Sequence, residues 1–112
     1  MKYIIFGKVV RGDGYGKKLG FPTVNLEINS QRIPKTGVYA GDAILEGKKY
    51  RAGIVINPEE KVEAHLIGYT GNAYDKNITL ETHKFLRDYK KFNTEKDLIK
   101  QIEKDLKKCL QA

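Results

Sequence analysis

The chain has 112 residues, 40% apolar and 31% charged, with a formal net charge of +7 and one cysteine. That length supports one core and excludes a second catalytic domain, so we expect one domain over residues 1–112. The balance is globular rather than disordered. No apolar run reaches the roughly 18 to 20 residues that cross a bilayer, and the start, MKYIIFGKVV, is too short and strand-like for a signal peptide; a cytoplasmic protein without a membrane partner is expected.

Runs rich in Val, Ile, Tyr and Thr, separated by Gly, Pro, Asn and Asp, predict strands over residues 3–10, 23–28, 37–45, 49–56, 62–67 and 77–86. Glu46-Gly47 is a hairpin signal and Gly71-Asn72 marks another turn. So many short strands in a small chain would leave exposed edges unless the sheet closes, which predicts a mainly β fold, an antiparallel Greek-key barrel. In the tail the period changes. Leu98, Ile99, Ile102, Leu106, Cys109 and Leu110 recur at three- and four-residue steps, predicting an amphipathic helix that starts at an N-cap Thr94 and covers one end of the barrel. Cys109 lies within this pattern and reads as a small apolar residue.

The positive charge is concentrated near the start: Lys2, Lys8, Arg11, Lys17, Lys18, Arg32 and Lys35 face only Asp13 and Glu27. Such a surround suits a polyphosphate as well as a nucleic acid, so charge alone does not choose between them. The loop after the first strand, residues 12–25, reads GDGYGKKLGFPTVN. Its glycines, Gly12, Gly14, Gly16 and Gly20, can form tight turns, or they can bring unhindered backbone N–H groups to phosphate oxygens, with Lys17 or Lys18 adding charge. Pro22 stands where a dinucleotide-fold helix would have to run, and no G-K-[ST] follows, so neither a Rossmann loop nor a P-loop is present.

Strand alternation places Thr23 and Asn25 on one face. They are a polar face turned to water, or two neutral oxygen donors suited to Mg²⁺ beside phosphates. Glu63 lies within the apolar alternation Val62, Ala64, Leu66 and shares the opposite face with His65; that face is either plainly exposed or offers a carboxylate base, with His65 orienting it or idle. Glu81-Thr82-His83 repeats the spacing, which raises a metal site built from both pairs; ordinary exposed strand residues explain the second pair more simply.

The run G-x-G-x-x-L-G-F-P-T-x-N-L resembles the riboflavin kinase family, and the resemblance continues in order through Gly37-Val38-Tyr39-Ala40, Val62-Glu63-Ala64-His65, Leu86-Arg87, Lys91-Phe92 and the final helix. It implies a six-stranded antiparallel barrel with a C-terminal helix, transferring the γ-phosphate of ATP to the 5′-hydroxyl of riboflavin to give FMN and ADP. By that resemblance the glycine-rich loop covers ATP, Thr23 and Asn25 bind Mg²⁺ and phosphate, and Glu63 is the catalytic base. Arg87 and Phe92 would meet the flavin, unless Arg87 merely pairs with Asp88 and Phe92 docks the helix.

Several positions depart from the family pattern. Val24 replaces an alanine, with its side chain opposite Thr23. Residues 57–61 form a shorter segment, which would trim one wall of the site. Asp75 stands where a glycine is usual. Bacterial members are often fused behind an adenylyltransferase domain, for which this chain has no room, so FAD synthesis is not expected. Two rival readings remain: a non-catalytic flavin- or nucleotide-binding regulator, and a small nucleic-acid-binding barrel using Tyr3, Tyr15 and Tyr39 as stacking faces. The kinase reading carries no nucleic-acid partner and expects a monomer.

Overall fold

The computed structural model describes residues 2–12 and 14–112, with the backbone alone for Tyr15. Asp13 and the Tyr15 ring, both invoked above, lie outside the described residues. The elements are β1 (Tyr3–Val10), α1 (Tyr15–Lys18), β2 (Val24–Glu27), β3 (Gly37–Leu45), β4 (Lys48–Ile56), β5 (Val62–Leu66), β6 (Asn77–Arg87) and α2 (Glu95–Gln111).

All the strand pairings are antiparallel, and the sheet closes in the order β1-β2-β5-β4-β3-β6. Strands β3, β4 and β5 are successive neighbours and β6 returns beside β3, which is the Greek-key arrangement. Alternation decides what fills the barrel: Ala52, Ile54 and Ile56 of β4 and Val62, Ala64 and Leu66 of β5 are buried in the core. The residues between them, including Gly53, Val55, Glu63 and His65, face outward.

Glu46 and Gly47 form the two-residue β3–β4 hairpin loop, both with positive φ (51° and 79°), as a primed turn requires. The β5–β6 connection turns at Ile67-Gly68 and Tyr74-Asp75, with Gly71 only a bend between them. Asp75 adopts φ 66°, the left-handed geometry glycine would take more easily, so the turn survives its substitution. Its N–H donates to the Val9 carbonyl at 2.9 Å. One turn of helix, α1, lies within the glycine-rich loop expected after β1, and the turn that follows it closes at Gly20, whose φ is 93°.

The C-terminal helix corrects a second expectation. Rather than covering an end of the barrel, α2 lies against the outer face of β3 and β4. Two small residues make the seat. Ala40 and Gly53 are cross-strand partners, and a Cβ on Gly53 would already sit 3.5 Å from Leu106 and 3.6 Å from the Cys109 sulfur. Thr94 is the N-cap, its hydroxyl accepting from the Asp97 N–H at 3.1 Å. Leu110, expected on the apolar stripe, is exposed because it follows Cys109 directly and so points about 100° further round the helix. Cys109 is fully buried, and burial pushes its thiol up to about 11. Among the described residues no helix is long and apolar enough to cross a membrane.

Candidate functional site

The ladder of the barrel places the candidate residues in one row. Val10 pairs with Asn25, Asn25 with Glu63, Glu63 with Val55, Val55 with Val38, and Val38 with Arg87. This row touches every strand. Asn25 and Glu63 are therefore direct cross-strand neighbours, with Cβ atoms about 5 Å apart. Val24, between Thr23 and Asn25, packs toward the core, so a β-branched residue is accommodated there.

The glycine-rich loop folds back onto the start of β2. A Cβ on Gly12 would collide with the Asn25 amide, and one on Gly16 would lie 2.6 Å from the Phe21 carbonyl and 3.4 Å from the Thr23 hydroxyl. At these two positions glycine is required by close approach. The Phe21 N–H donates to the Gly16 carbonyl at 2.8 Å, closing the loop over Thr23. His65 fixes the other side of this segment: its Nδ1 lies 2.7 Å from the Pro22 carbonyl, and its ring meets Phe21 edge-on at 6.2 Å. A carbonyl only accepts, so Nδ1 carries the hydrogen. His65 thus holds the Phe21-Pro22-Thr23 segment, a role that neither sequence alternative named.

The facing wall comes from the segment after β6 and the first turns of α2. Arg87 forms a two-armed ion pair with Asp105, Nε to Oδ1 at 3.0 Å and Nη2 to Oδ2 at 2.8 Å. Its Nη1 donates to the Asp88 carbonyl at 3.1 Å, and its guanidinium lies 5.7 Å from the centre of the Phe92 ring. Asp88 thus contributes a backbone oxygen, and the carboxylate partner is Asp105. Asp105 escaped the sequence reading although a signal existed, an acid set three residues after Ile102 and four before Cys109 on the apolar stripe.

Between the walls lies a cavity of about 560 Å³, lined by Gly16, Phe21, Thr23, Glu63, Arg87 and Phe92, with Leu98 and Ile102 of α2 behind them. That is the size of a small-molecule or nucleotide site. Asn25 adjoins it through Glu63 and Gly12. Gly14, Lys17, Lys18 and Gly20 stand on the exposed loop and do not line it, and Pro22 acts through its carbonyl. Tyr89 lines it and was not anticipated, and so does Asn57, the first residue of the segment expected to trim one wall. The short segment at residues 57–61 is a closed turn in which the Asn57 Oδ1 accepts from the Glu59 and Lys61 N–H groups, both at 2.9 Å.

Thr23 and Asn25 supply a hydroxyl and an amide oxygen beside a backbone cradle that side chains would fill, a donor set that fits a hard divalent cation shared with phosphate oxygens. The two Glu-x-His pairs do not combine, because β5 and β6 are not neighbours. Tyr39, one of the supposed stacking faces, is buried with its hydroxyl donating to the Lys35 carbonyl at 2.6 Å.

A family model described as Flavokinase, riboflavin kinase, matches residues 1–112. The chain is 36% identical to the bifunctional riboflavin kinase/FMN adenylyltransferase of Bacillus subtilis, over 96% of this chain and 38% of that protein. It is 31% identical to the Escherichia coli K12 protein of the same description, over 92% of this chain and 36% of that one. It therefore spans little more than a third of these relatives. Its fold is similar to that of a riboflavin kinase from Trypanosoma brucei (TM-score 0.74, 20% identity, 98% of this chain and 78% of that chain). It is also similar to a Streptococcus pneumoniae protein described as a macrolide-efflux protein (TM-score 0.86, 25% identity, 93% of this chain and 37% of that one). With the closed barrel and the loop packed on Thr23 and Asn25, these matches establish that the chain belongs to the riboflavin kinase family.

Proposed function

We propose that the chain is a riboflavin kinase, a cytoplasmic monomer and single domain that transfers the γ-phosphate of ATP to the 5′-hydroxyl of riboflavin, giving FMN and ADP. The observation that carries this reading is the pairing of Asn25 with Glu63 beside Thr23, which sets a carboxylate next to a phosphate-type cradle in one cavity.

Phosphoryl transfer asks a protein mainly for positioning and charge neutralisation. In this reading the backbone of the Gly12–Gly20 loop covers the phosphates, and Lys17 and Lys18 add long-range positive charge from its exposed side. Thr23 and Asn25 hold Mg²⁺, which when bound neutralises charge on the phosphate oxygens. Glu63 accepts the proton of the riboflavin hydroxyl as its oxygen attacks the γ-phosphorus and the bond to the β-phosphate oxygen breaks. Arg87 and Phe92 meet the flavin. The Arg87 guanidinium reaches it already oriented by Asp105, while Leu98 and Ile102 supply apolar wall.

The test is incubation with riboflavin, Mg²⁺ and ATP, following FMN. Formation of FMN that depends on Glu63 and Thr23 supports the reading. No FMN from any nucleoside triphosphate overturns it, and tight flavin binding without turnover would favour a regulator.

A further inference from the structure

Away from the row that crosses the candidate site, β3 and β6 bring together a second group of ionisable side chains. Asp42 and Glu81 are cross-strand partners, and with His83 their donor atoms all lie within 4.8 Å of one another. Asp42 is four residues along β3 from Val38, about 13 Å from the row that crosses the candidate site. A β-bulge builds the cluster. Ala40 pairs with Lys84 but Gly41 with Thr82, so His83 is the extra residue, without a partner on β3. Bulges re-aim side chains, and this one turns the His83 ring onto the two carboxylates. Gly41 allows it, since a Cβ there would collide with the Glu81 backbone carbonyl.

We propose that Asp42, Glu81 and His83 form a binding site for a borderline divalent cation of the zinc type, separate from the phosphate-side cation. One imidazole and two carboxylates with room for water is a ligand set such ions accept, whereas Mg²⁺ and Ca²⁺ favour oxygen alone. Tetrahedral bonds of about 2.0 to 2.2 Å put ligand atoms about 3.4 Å apart. The His83 Nε2 lies 2.7 Å from Asp42 Oδ2 and 4.0 Å from Glu81 Oε1, so the spacing is bracketed and small side-chain rotations reach it.

The surroundings are consistent with this use. Arg51 Nη1 holds Asp42 Oδ1 at 3.3 Å and leaves Oδ2 directed at His83, as outer partners orient metal ligands. Lys2 and Lys49 approach Glu81 only to 3.8 and 3.7 Å and are largely exposed, so displacing them costs little. On binding, His83 would ligate through Nε2, the ring nitrogen that already faces Asp42. The bound ion would clamp β3 to β6 at the bulge.

The test is titration of the intact chain with Co²⁺, then Zn²⁺ in competition, without nucleotide. One equivalent should bind with the visible absorption of a four-coordinate ion, and His83→Gln or Asp42→Asn should weaken it at least tenfold. In the unaltered protein, Zn²⁺ should shift the His83 ring resonances and leave those of His65 in place. Absence of saturable binding, unchanged affinity in His83→Gln, or perturbation of His65 instead overturns the proposal.

Discussion

The two walls of the cavity are built by opposite means. The wall at Gly12–Asn25 is nearly all backbone, held by closely spaced glycines, one carbonyl bond to His65 and a loop lying mostly in solvent. The wall from Arg87 into α2 is held by distant packing, through a partly buried ion pair, a capped helix and the Cys109 sulfur seated on Gly53. The first wall concentrates the groups proposed for chemistry, and the second concentrates stability. Substitutions at the loop and base should therefore act mainly on turnover, and substitutions at the contacts that anchor α2, Asp105 and Thr94, mainly on folding.

Glu63→Gln is the strongest way to sharpen that contrast. Removing a general base costs about 10² to 10⁴ in rate, so FMN formation should fall by about a thousandfold while a cooperative melting transition is retained. Gly12→Ala comes next: its methyl group must displace the Asn25 amide, and turnover should fall roughly ten- to a hundredfold, since small misplacements cost that much.

On the other wall, Asp105→Asn removes the carboxylate that pairs with Arg87 and should cost about 2 to 3 kcal/mol of stability, seen as a lower midpoint in thermal denaturation. The Cys109 thiol, protonated and buried in the wild type, should be alkylated faster in this variant as α2 opens. Thr94→Ala should cost only about 1 kcal/mol. If Asp105→Asn abolished turnover while leaving stability intact, the division between the walls would break.

Much of the barrel was legible because alternation is a local property: a residue such as Ile54 or Ala64 declares its face by what flanks it. The starts of β1, β3, β5 and β6 and the Thr94 cap could be read in this way. The seat of α2 could not, because it depends on Ala40 and Gly53 becoming neighbours across strands separated in sequence. Among the candidate site residues, Thr23, Asn25 and Glu63 were legible through their motifs, and the structure brings them together. The His65 bond to Pro22, the Arg87–Asp105 pair and the bulge at His83 join distant residues, so no local pattern announces them.

The row from Val10 to Arg87 acts as a ruler. Asn25 and Glu63 are held on adjacent rungs of a closed ladder whose strand spacing, about 4.8 Å, is set by backbone hydrogen bonds and not by side chains. A closed barrel has no edge along which one strand could slide to lengthen that gap. Remodelling this cavity for a longer or shorter acceptor alcohol should therefore begin in the glycine loop and the helix, leaving the strands as the fixed scale.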